Sequence, residues 1–154
     1  MKVVKSGEFP EMFIGEYNHT IDAKGRLIVP AKYRDNLGEH FYVTKGFDGC
    51  LFVYDEADFE TLKDKILALP LSNKKSRTIS RFFLGSAQDG EFDKQGRILV
   101  SAPLREHAGL VKDVVLVGVG NHIEIWSKEK YEASEESFDA DAVALKLEEL
   151  GLSL

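Results

Sequence analysis

Short runs of apolar and β-branched residues, separated by turn signals, follow one another in the same order twice along this chain. Residues 17–21 and 26–29 predict two short strands. Gly25 lies between them, and glycine readily adopts the positive φ that closes a tight hairpin. Two later hairpins are predicted from the strand ranges 41–44, 51–54, 114–117 and 123–126. Strands this short and scattered argue against a parallel α/β sheet.

Helices are predicted from their terminal residues and from apolar residues at helical spacing. Short helices are bracketed in the same way in both halves of the chain, from Pro30 to Gly38 and from Ser101, a candidate N-cap, to Gly109. A longer helix follows the candidate cap Asp55 and ends at Pro70, with apolar residues at Phe59, Leu62, Ile66 and Leu69. Two further helices are predicted at residues 72–84 and 139–150.

The two halves of the chain also repeat one another residue by residue. The stretch from Asp22 to Val29 returns 71 residues later, from Asp93 to Val100. Six of the thirteen positions in residues 22–34 are identical to their later counterparts. Two copies are too few for an open solenoid, so we expect a pseudo-symmetric pair of units closed on itself.

This repeat divides the chain into five predicted segments. We expect residues 1–11 to be a leader segment or a cloning remnant and leave them out of the fold argument. The remaining segments are a first repeat, a connecting helix, a second repeat and an acidic C-terminal helix, at residues 12–69, 70–84, 85–131 and 132–154. The predicted fold is mainly β with peripheral helices, built as two small interlocked β-barrel halves.

The charge distribution leaves the choice of partner open. The formal net charge is −6, and residues 131–154, with seven acids and one base, carry all of it. The other 130 residues hold 19 bases and 19 acids, so a local basic face remains possible on a neutral body. No apolar run reaches the roughly 18 to 20 residues of a membrane helix, and we expect no membrane partner.

Signals of catalysis are weak. The four histidines are dispersed and show no metal-ligand spacing, and no nucleotide-binding or nucleophile-elbow motif is found. Cys50 is the only cysteine and lies in an apolar strand, which is typical of a buried, inert thiol in a protein of the reducing cytoplasm. We therefore predict a protein that is not an enzyme and needs no cofactor or metal.

The repeated motif D-x-x-G-R has two interpretations. In the structural one, Asp22 and Asp93 accept hydrogen bonds from turn amides, Gly25 and Gly96 adopt positive φ, and each arginine pairs with its aspartate. In the binding one, two arginines at pseudo-symmetric tips present rigid forks of donors suited to phosphate or guanine. The residues alone leave both interpretations open.

The stretches MFIGEYNHTIDAKGRLIVPAKYR and DKQGRILVSAPLR resemble the MraZ family of bacterial proteins, and the resemblance covers the chain from Met12 to Gly151. It implies two AbrB-like units that form a double-split, swapped-hairpin β-barrel within one chain. It also implies a ring-shaped homo-oligomer that regulates transcription at the nucleoid. The target implied is double-stranded DNA with short direct repeats, in the promoter of the division and cell-wall gene cluster that includes its own gene.

The resemblance assigns DNA contacts to the basic residues of the two turns. Arg26 and Arg97 carry this role most directly, followed by Lys24, whose counterpart in the second turn is Gln95. Lys94, one position earlier, is the candidate replacement. The alternative from a different class is a protein-interaction module of antitoxin type, in which both turns are purely structural.

Three other features have structural interpretations. The basic stretch at residues 73–81 is more typical of a solvated helix face than of a phosphate-binding site. Three aromatic residues are predicted to lie in the core or in subunit contacts: Phe82, Phe83 and Trp126. The acidic C-terminal helix is predicted to pack through three apolar residues rather than to remain a free tail: Val143, Leu147 and Leu150.

Overall fold

The order of elements repeats as the sequence pattern predicts. In the computed structural model, which describes residues 12–154, the first repeat contains β1 (Phe13–Thr20), β2 (Arg26–Ile28), α1 (Ala31–Leu37), β3 (Phe41–Lys45), β4 (Leu51–Asp55), α2 (Glu56–Leu67) and α3 (Lys74–Phe83). The second contains β5 (Gln88–Gly90), β6 (Arg97–Leu99), α4 (Ala102–Ala108), β7 (Asp113–Gly120), β8 (Ile123–Ser127), α5 (Lys128–Ser134) and α6 (Ala140–Glu149). The prediction for residues 1–11 lies outside the described residues.

Strands pair across the two repeats. The larger sheet has the order β1-β7-β8-β4-β3-β5, and every pairing in it is antiparallel. The first strand of each repeat therefore lies against the central hairpin of the other repeat, because β1 pairs with β7 and β5 pairs with β3. The remaining strands, β2 and β6, form a separate antiparallel ribbon with one strand from each repeat. The halves are thus exchanged around a pseudo-twofold axis.

The predicted fold class is confirmed at the coarse level of a mostly β protein with several helices. The six-stranded sheet has β1 and β5 at its two ends, and these strands are not paired with each other. The sheet described for residues 12–154 is therefore open. The closed double-split barrel stays a prediction.

Helix boundaries follow the predicted capping residues, with two differences. Asp55 caps α2 by accepting a hydrogen bond from the backbone N–H of Asp58 at 2.8 Å. The helix ends at Leu67, before the predicted limit, since the chain must leave helical geometry ahead of Pro70. Ser101 occupies the N-cap position of α4, but its side chain makes no capping hydrogen bond.

The main core lies between the two exchanged halves and has the same pseudo-symmetry as the chain. Residues that correspond at the 71-residue offset are buried together, as in the pairs Leu27 with Ile98, Val29 with Val100 and Tyr33 with Leu104. Because each half supplies one side of this core, neither can bury its apolar face alone. Burial of the core therefore fixes the ribbon of β2 and β6 against the rest of the protein.

A second apolar cluster packs α2, α3 and α5 onto the outer face of the sheet. Phe83 and Trp126 are buried in it, which confirms the core assignment of these two side chains, and Phe82 packs against it. Cys50 is fully buried in the same cluster, and this burial raises the pKa of its thiol. By contrast, α6 contains no buried residue, so the predicted packing of its apolar side chains is not found within one chain.

Candidate nucleic-acid interface

The first hairpin turn, residues 22–26, is organised by the carboxylate of Asp22. Its Oδ1 accepts hydrogen bonds from the backbone N–H groups of Lys24 and Arg26, at 3.0 and 2.9 Å. Its Oδ2 accepts a hydrogen bond from Nε of Arg26 at 2.6 Å. The backbone N–H of Gly25 donates to the carbonyl of Asp22 at 3.0 Å. One carboxylate thus satisfies two turn amides and holds one edge of a guanidinium.

The second turn, residues 93–97, repeats this arrangement. Oδ1 of Asp93 accepts from the backbone N–H groups of Gln95 and Arg97 at 2.8 and 2.9 Å, and Oδ2 accepts from Nε of Arg97 at 2.8 Å. The residue that replaces Lys24 here, Gln95, uses only its backbone in these contacts. The side chain at this tip position is therefore not needed for the shape of the turn.

These contacts lower the pKa of both carboxyl groups from the ordinary value of 3.8. For Asp22 the backbone N–H of Arg26 contributes most, desolvation opposes it, and the guanidinium of the same residue lowers the pKa further. For Asp93 the backbone N–H of Arg97 is likewise the main cause. Both aspartates are therefore ionised at neutral pH, and each remains an acceptor for its arginine.

Each turn contains a glycine that the backbone geometry requires. Gly25 has φ of 86° and Gly96 has φ of 76°, a region that strongly favours glycine. A Cβ at Gly25 would lie 2.6 Å from the carbonyl oxygen of Val100, whereas a Cβ at Gly96 would meet the guanidinium of Arg34. The two turns are thus enclosed by atoms of the opposite repeat.

Backbone hydrogen bonds join each turn to the strand end of the other repeat. The carbonyl of Gly25 accepts from the N–H of Val100 at 2.8 Å, and the carbonyl of Gly96 accepts from the N–H of Val29 at 3.2 Å. The two turns are therefore linked through the ribbon of β2 and β6. They form one surface, not two independent loops.

Two more arginines strengthen these links. Arg34 donates from Nη1 to the carbonyl of Val29 at 2.7 Å, and Arg105 donates from Nε to the carbonyl of Val100 at 3.1 Å. Arg105 also reaches the carbonyl of Ala23 in the first turn, at 3.5 Å from Nη1. Sequence analysis gave these arginines no role. Their signal was their correspondence at the 71-residue offset, which marks them as part of both repeated units.

The outer nitrogens of the two turn arginines face away from these contacts. The side chains of Arg26 and Arg97 are 37% and 24% exposed. Within residues 12–154, no hydrogen-bond or ion-pair partner is found for the Nη atoms of either arginine. Lys24 and Lys94 are exposed beside them. Each turn therefore has a formal charge of +1 and presents a guanidinium fork that its aspartate holds in place.

The outward face of the ribbon also carries two aliphatic residues that sequence analysis did not assign to the site. Ile28 is 45% exposed and Leu99 is 58% exposed, although both occur in runs of three apolar residues. The pairing of β2 with β6 places Leu99 opposite Arg26 and Ile28 opposite Arg97. Arginine and aliphatic side chains thus alternate over the surface between the two turns.

Other candidate features have less to offer a ligand. Arg77 in the basic helix α3 donates to the carbonyls of Leu71 and Ser72 in its own preceding loop, at 3.2 and 3.1 Å. In the part of the chain that the structure describes, no group of three or more His, Cys, Asp or Glu side chains is placed to hold a metal ion. No helix between residues 12 and 154 combines the length and apolar character needed to cross a bilayer.

Comparison with known proteins points to one family. The family model for the MraZ protein matches this chain twice, at residues 12–82 and 83–150. A protein of Lachnoclostridium phytofermentans named Transcriptional regulator MraZ is 55% identical over 143 residues, which are 92% of this chain and 99% of that protein. The protein of the same name from Clostridium beijerinckii is 51% identical over 142 residues, 92% of this chain and all of that protein.

A third relative from Alkaliphilus oremlandii, also named Transcriptional regulator MraZ, is 48% identical over 143 residues. That alignment covers 92% of this chain and the whole of the relative. The two matches of the family model divide the chain into the same two halves that exchange strands in the fold. With two repeats matched and relatives aligned over nearly their full length, the chain belongs to the MraZ family.

Proposed function

We propose that this protein is a transcriptional regulator that binds double-stranded DNA sequence-specifically through the two D-x-x-G-R turns. The observation that carries the proposal is the state of the two turn arginines. Asp22 and Asp93 bind only the Nε edge of each guanidinium, so the two Nη groups remain directed outward. The names of the relatives, each a transcriptional regulator, support the same function.

The chemistry of a held guanidinium suits base recognition. Arginine donates two parallel hydrogen bonds to O6 and N7 of guanine in the major groove, and this pairing depends on orientation. A guanidinium whose Nε is already bonded loses little further rotational freedom on binding. We therefore assign base contacts to Arg26 and Arg97, and phosphate contacts to Lys24 and Lys94. Asp22, Gly25, Asp93 and Gly96 have the supporting role of shaping the turns.

The proposal includes the target and the setting that the family resemblance implies. The DNA would be short direct repeats in the promoter of the division and cell-wall gene cluster, bound in the cytoplasm at the nucleoid. The exchange of strands between the repeats supports the double-split barrel as the unit that presents both turns. Two turns on one rigid surface fit a single short recognition element.

We further propose that several copies assemble into a ring. One pair of turns makes few contacts, whereas linked sites can raise avidity by about 10² to 10⁴. Neighbours related by simple rotation match direct repeats better than palindromes. The acidic helix α6 supports such a contact because it leaves Val143, Leu145 and Leu150 exposed. The basic helix α3, with Ile79 exposed, offers a surface of opposite charge on the next copy.

Fluorescence anisotropy tests the DNA-binding function. Labelled DNA from immediately upstream of the protein's own gene is titrated with wild type and with the Arg26→Ala/Arg97→Ala variant, at two salt concentrations. We expect salt-dependent binding by wild type and a loss of at least about a hundredfold in the double variant, since each guanine contact contributes about 1 to 3 kcal/mol. Arg26→Lys/Arg97→Lys keeps the charge but removes the fork, and should also lose preference over a scrambled duplex.

The same experiment separates this function from a structural role of the turns. A scrambled duplex and the Lys75→Ala variant, which removes an exposed charge on α3, serve as controls. Circular dichroism and light scattering establish whether each variant folds and assembles. If wild type shows no preference for the promoter, and the double arginine variant loses its fold or assembly, the turns are structural. The chain would then be a protein-interaction module of antitoxin type.

A further inference from the structure

The ribbon of β2 and β6 exposes aliphatic side chains on the face that presents the arginines. Along each strand the middle residue points inward, with Leu27 fully buried and Ile98 only 2% exposed. The neighbouring positions point outward because side chains alternate along a strand. We call the four outward residues the ribbon face: Arg26, Ile28, Arg97 and Leu99.

The register of the ribbon fixes how these residues are arranged. Arg26 lies opposite Leu99, and Ile28 lies opposite Arg97. Residues directly opposite on antiparallel strands have Cβ atoms about 4.5 to 5.5 Å apart, so each guanidinium stem lies beside one aliphatic side chain. The pseudo-twofold axis of the ribbon exchanges the two pairs. The ribbon face thus carries the same combination of one arginine and one aliphatic residue twice.

The partner of such a face must offer hydrogen-bond acceptors and apolar groups only a few ångströms apart. The DNA major groove does so, since guanine presents O6 and N7 while thymine presents a C5-methyl group. Phosphate and the minor groove offer no methyl group. RNA duplexes have a major groove too deep and narrow to read, and uracil lacks the methyl group. A two-stranded ribbon also has a width that the major groove of B-DNA admits.

Charge favours a nucleic acid over a second protein as the occupant. The two acids within the turns, Asp22 and Asp93, are already hydrogen-bonded to the turns themselves. Around them lie the outer nitrogens of Arg26 and Arg97 and the exposed Lys24 and Lys94. An apolar partner surface would leave these cations to be desolvated without compensation.

We infer that Ile28 and Leu99 contact thymine methyl groups in the major groove and act as specificity-determining residues beside the two arginines. The inference rests on the proposed DNA-binding function and adds to it the bases that are read. Pairs two residues apart on a strand are separated by about 6.8 Å, close to two base-pair steps of about 3.4 Å. The recognised element therefore contains thymines within about two base pairs of the guanines that the arginines contact.

Replacing thymine with uracil in the promoter duplex tests this directly, because uracil pairs identically and lacks only the methyl group. Each thymine of the protected region is replaced in turn, and affinity is measured by anisotropy. For wild type we expect about a fourfold loss at each of two thymines, from the free energy of burying one methyl group. The Ile28→Ala/Leu99→Ala variant should bind the thymine and uracil duplexes equally.

The chain offers a matched control for this variant. Leu67 and Leu71 are exposed aliphatic residues outside the ribbon, at 63% and 81% exposure. The Leu67→Ala/Leu71→Ala variant removes the same kind of surface and should keep the full thymine dependence. Since all four side chains are exposed, circular dichroism and thermal unfolding should show native folds for both variants.

Each other outcome overturns the inference in a distinguishable way. If wild type binds the promoter through its arginines but is indifferent to every uracil, the aliphatic residues do not read methyl groups, and the proposed function stands. If the Ile28→Ala/Leu99→Ala variant keeps the thymine dependence and instead changes the assembly mass in light scattering, the aliphatic residues belong to a contact between copies. If wild type binds no duplex at all, both this inference and the proposed function fail.

Discussion

The two turns share one skeleton but differ at their tips. In both, an aspartate binds two backbone N–H groups and the Nε of an arginine, with distances that agree within about 0.2 Å. The first turn carries Lys24 at its tip, where the second carries Gln95, and Lys94 lies one position earlier. Arg26 is also more exposed than Arg97, at 37% against 24%.

This comparison separates the residues that shape a turn from those available to a ligand. Gln95 makes the same backbone hydrogen bond as Lys24, so the tip side chain does not determine turn geometry. The shared aspartate, glycine and arginine do. We therefore expect substitutions in the skeleton to affect both folding and binding, and substitutions at the tip to affect binding alone.

The largest difference should follow from adding a methyl group at the two glycines. In Gly25→Ala the new Cβ would meet the backbone carbonyl of Val100, which cannot move without disturbing the ribbon. In Gly96→Ala it would meet the guanidinium of Arg34, a flexible side chain. We expect losses in the free energy of unfolding of about 3 kcal/mol and about 1 to 2 kcal/mol, from positive φ with and without a backbone clash. Equal losses in urea unfolding would contradict this asymmetry.

The next effect concerns the two arginines as DNA contacts. Because Arg26 is more exposed and lies beside Lys24, Arg26→Ala should weaken promoter binding more than Arg97→Ala. We expect losses within about 1 to 3 kcal/mol for each. Anisotropy at one fixed salt concentration measures both, with Lys75→Ala as the control for loss of an exposed charge elsewhere. A greater loss for Arg97→Ala would show that exposure in the free protein does not rank these contacts.

Acid should weaken both turns alike. The folded-state pKa of Asp22 and of Asp93 lies below the ordinary value of 3.8, so their contribution to stability is fully present above that value and is lost as pH falls through the lowered pKa. Urea unfolding at neutral pH and in steps below pH 4 should show a smaller acid loss for Asp22→Asn/Asp93→Asn than for wild type. Glu148→Gln, which removes an exposed carboxylate of α6, should behave as wild type.

Local structure was predictable because single residues determine it. The helix at residues 31–37 is confirmed with its predicted end at Gly38, and the cap at Asp55 is confirmed by its hydrogen bond to the N–H of Asp58. The hairpins around residues 45–50 and 118–122 also form as predicted. These features depend on φ preferences and on contacts within a few residues, which the sequence contains directly.

Pairing between distant strands was not predictable from the residues themselves. Leu27-Ile28-Val29 is an uninterrupted apolar run, which is typical of a strand buried on both faces. Ile28 is nevertheless exposed, because β2 pairs only with β6 and turns one face of the ribbon outward. The contacts of Arg34 and Arg105 with the opposite turn arise from the same exchange of halves. Such contacts depend on tertiary packing and leave no local pattern.

The smallest effect should come from exchanging the two tips. Lys24→Gln gives the first turn the tip of the second, and Gln95→Lys does the reverse, with no expected change in unfolding because both tip side chains are exposed. If each lysine neutralises one phosphate, the slope of log affinity against log salt changes by about 0.9 in opposite directions. Between about 50 and 200 mM salt this changes the ratio of affinities about 3.5-fold. Anisotropy titrations over that range measure both slopes. Unchanged slopes in both variants would mean that the tips do not reach phosphate, and that Arg26 and Arg97 account for the contact alone.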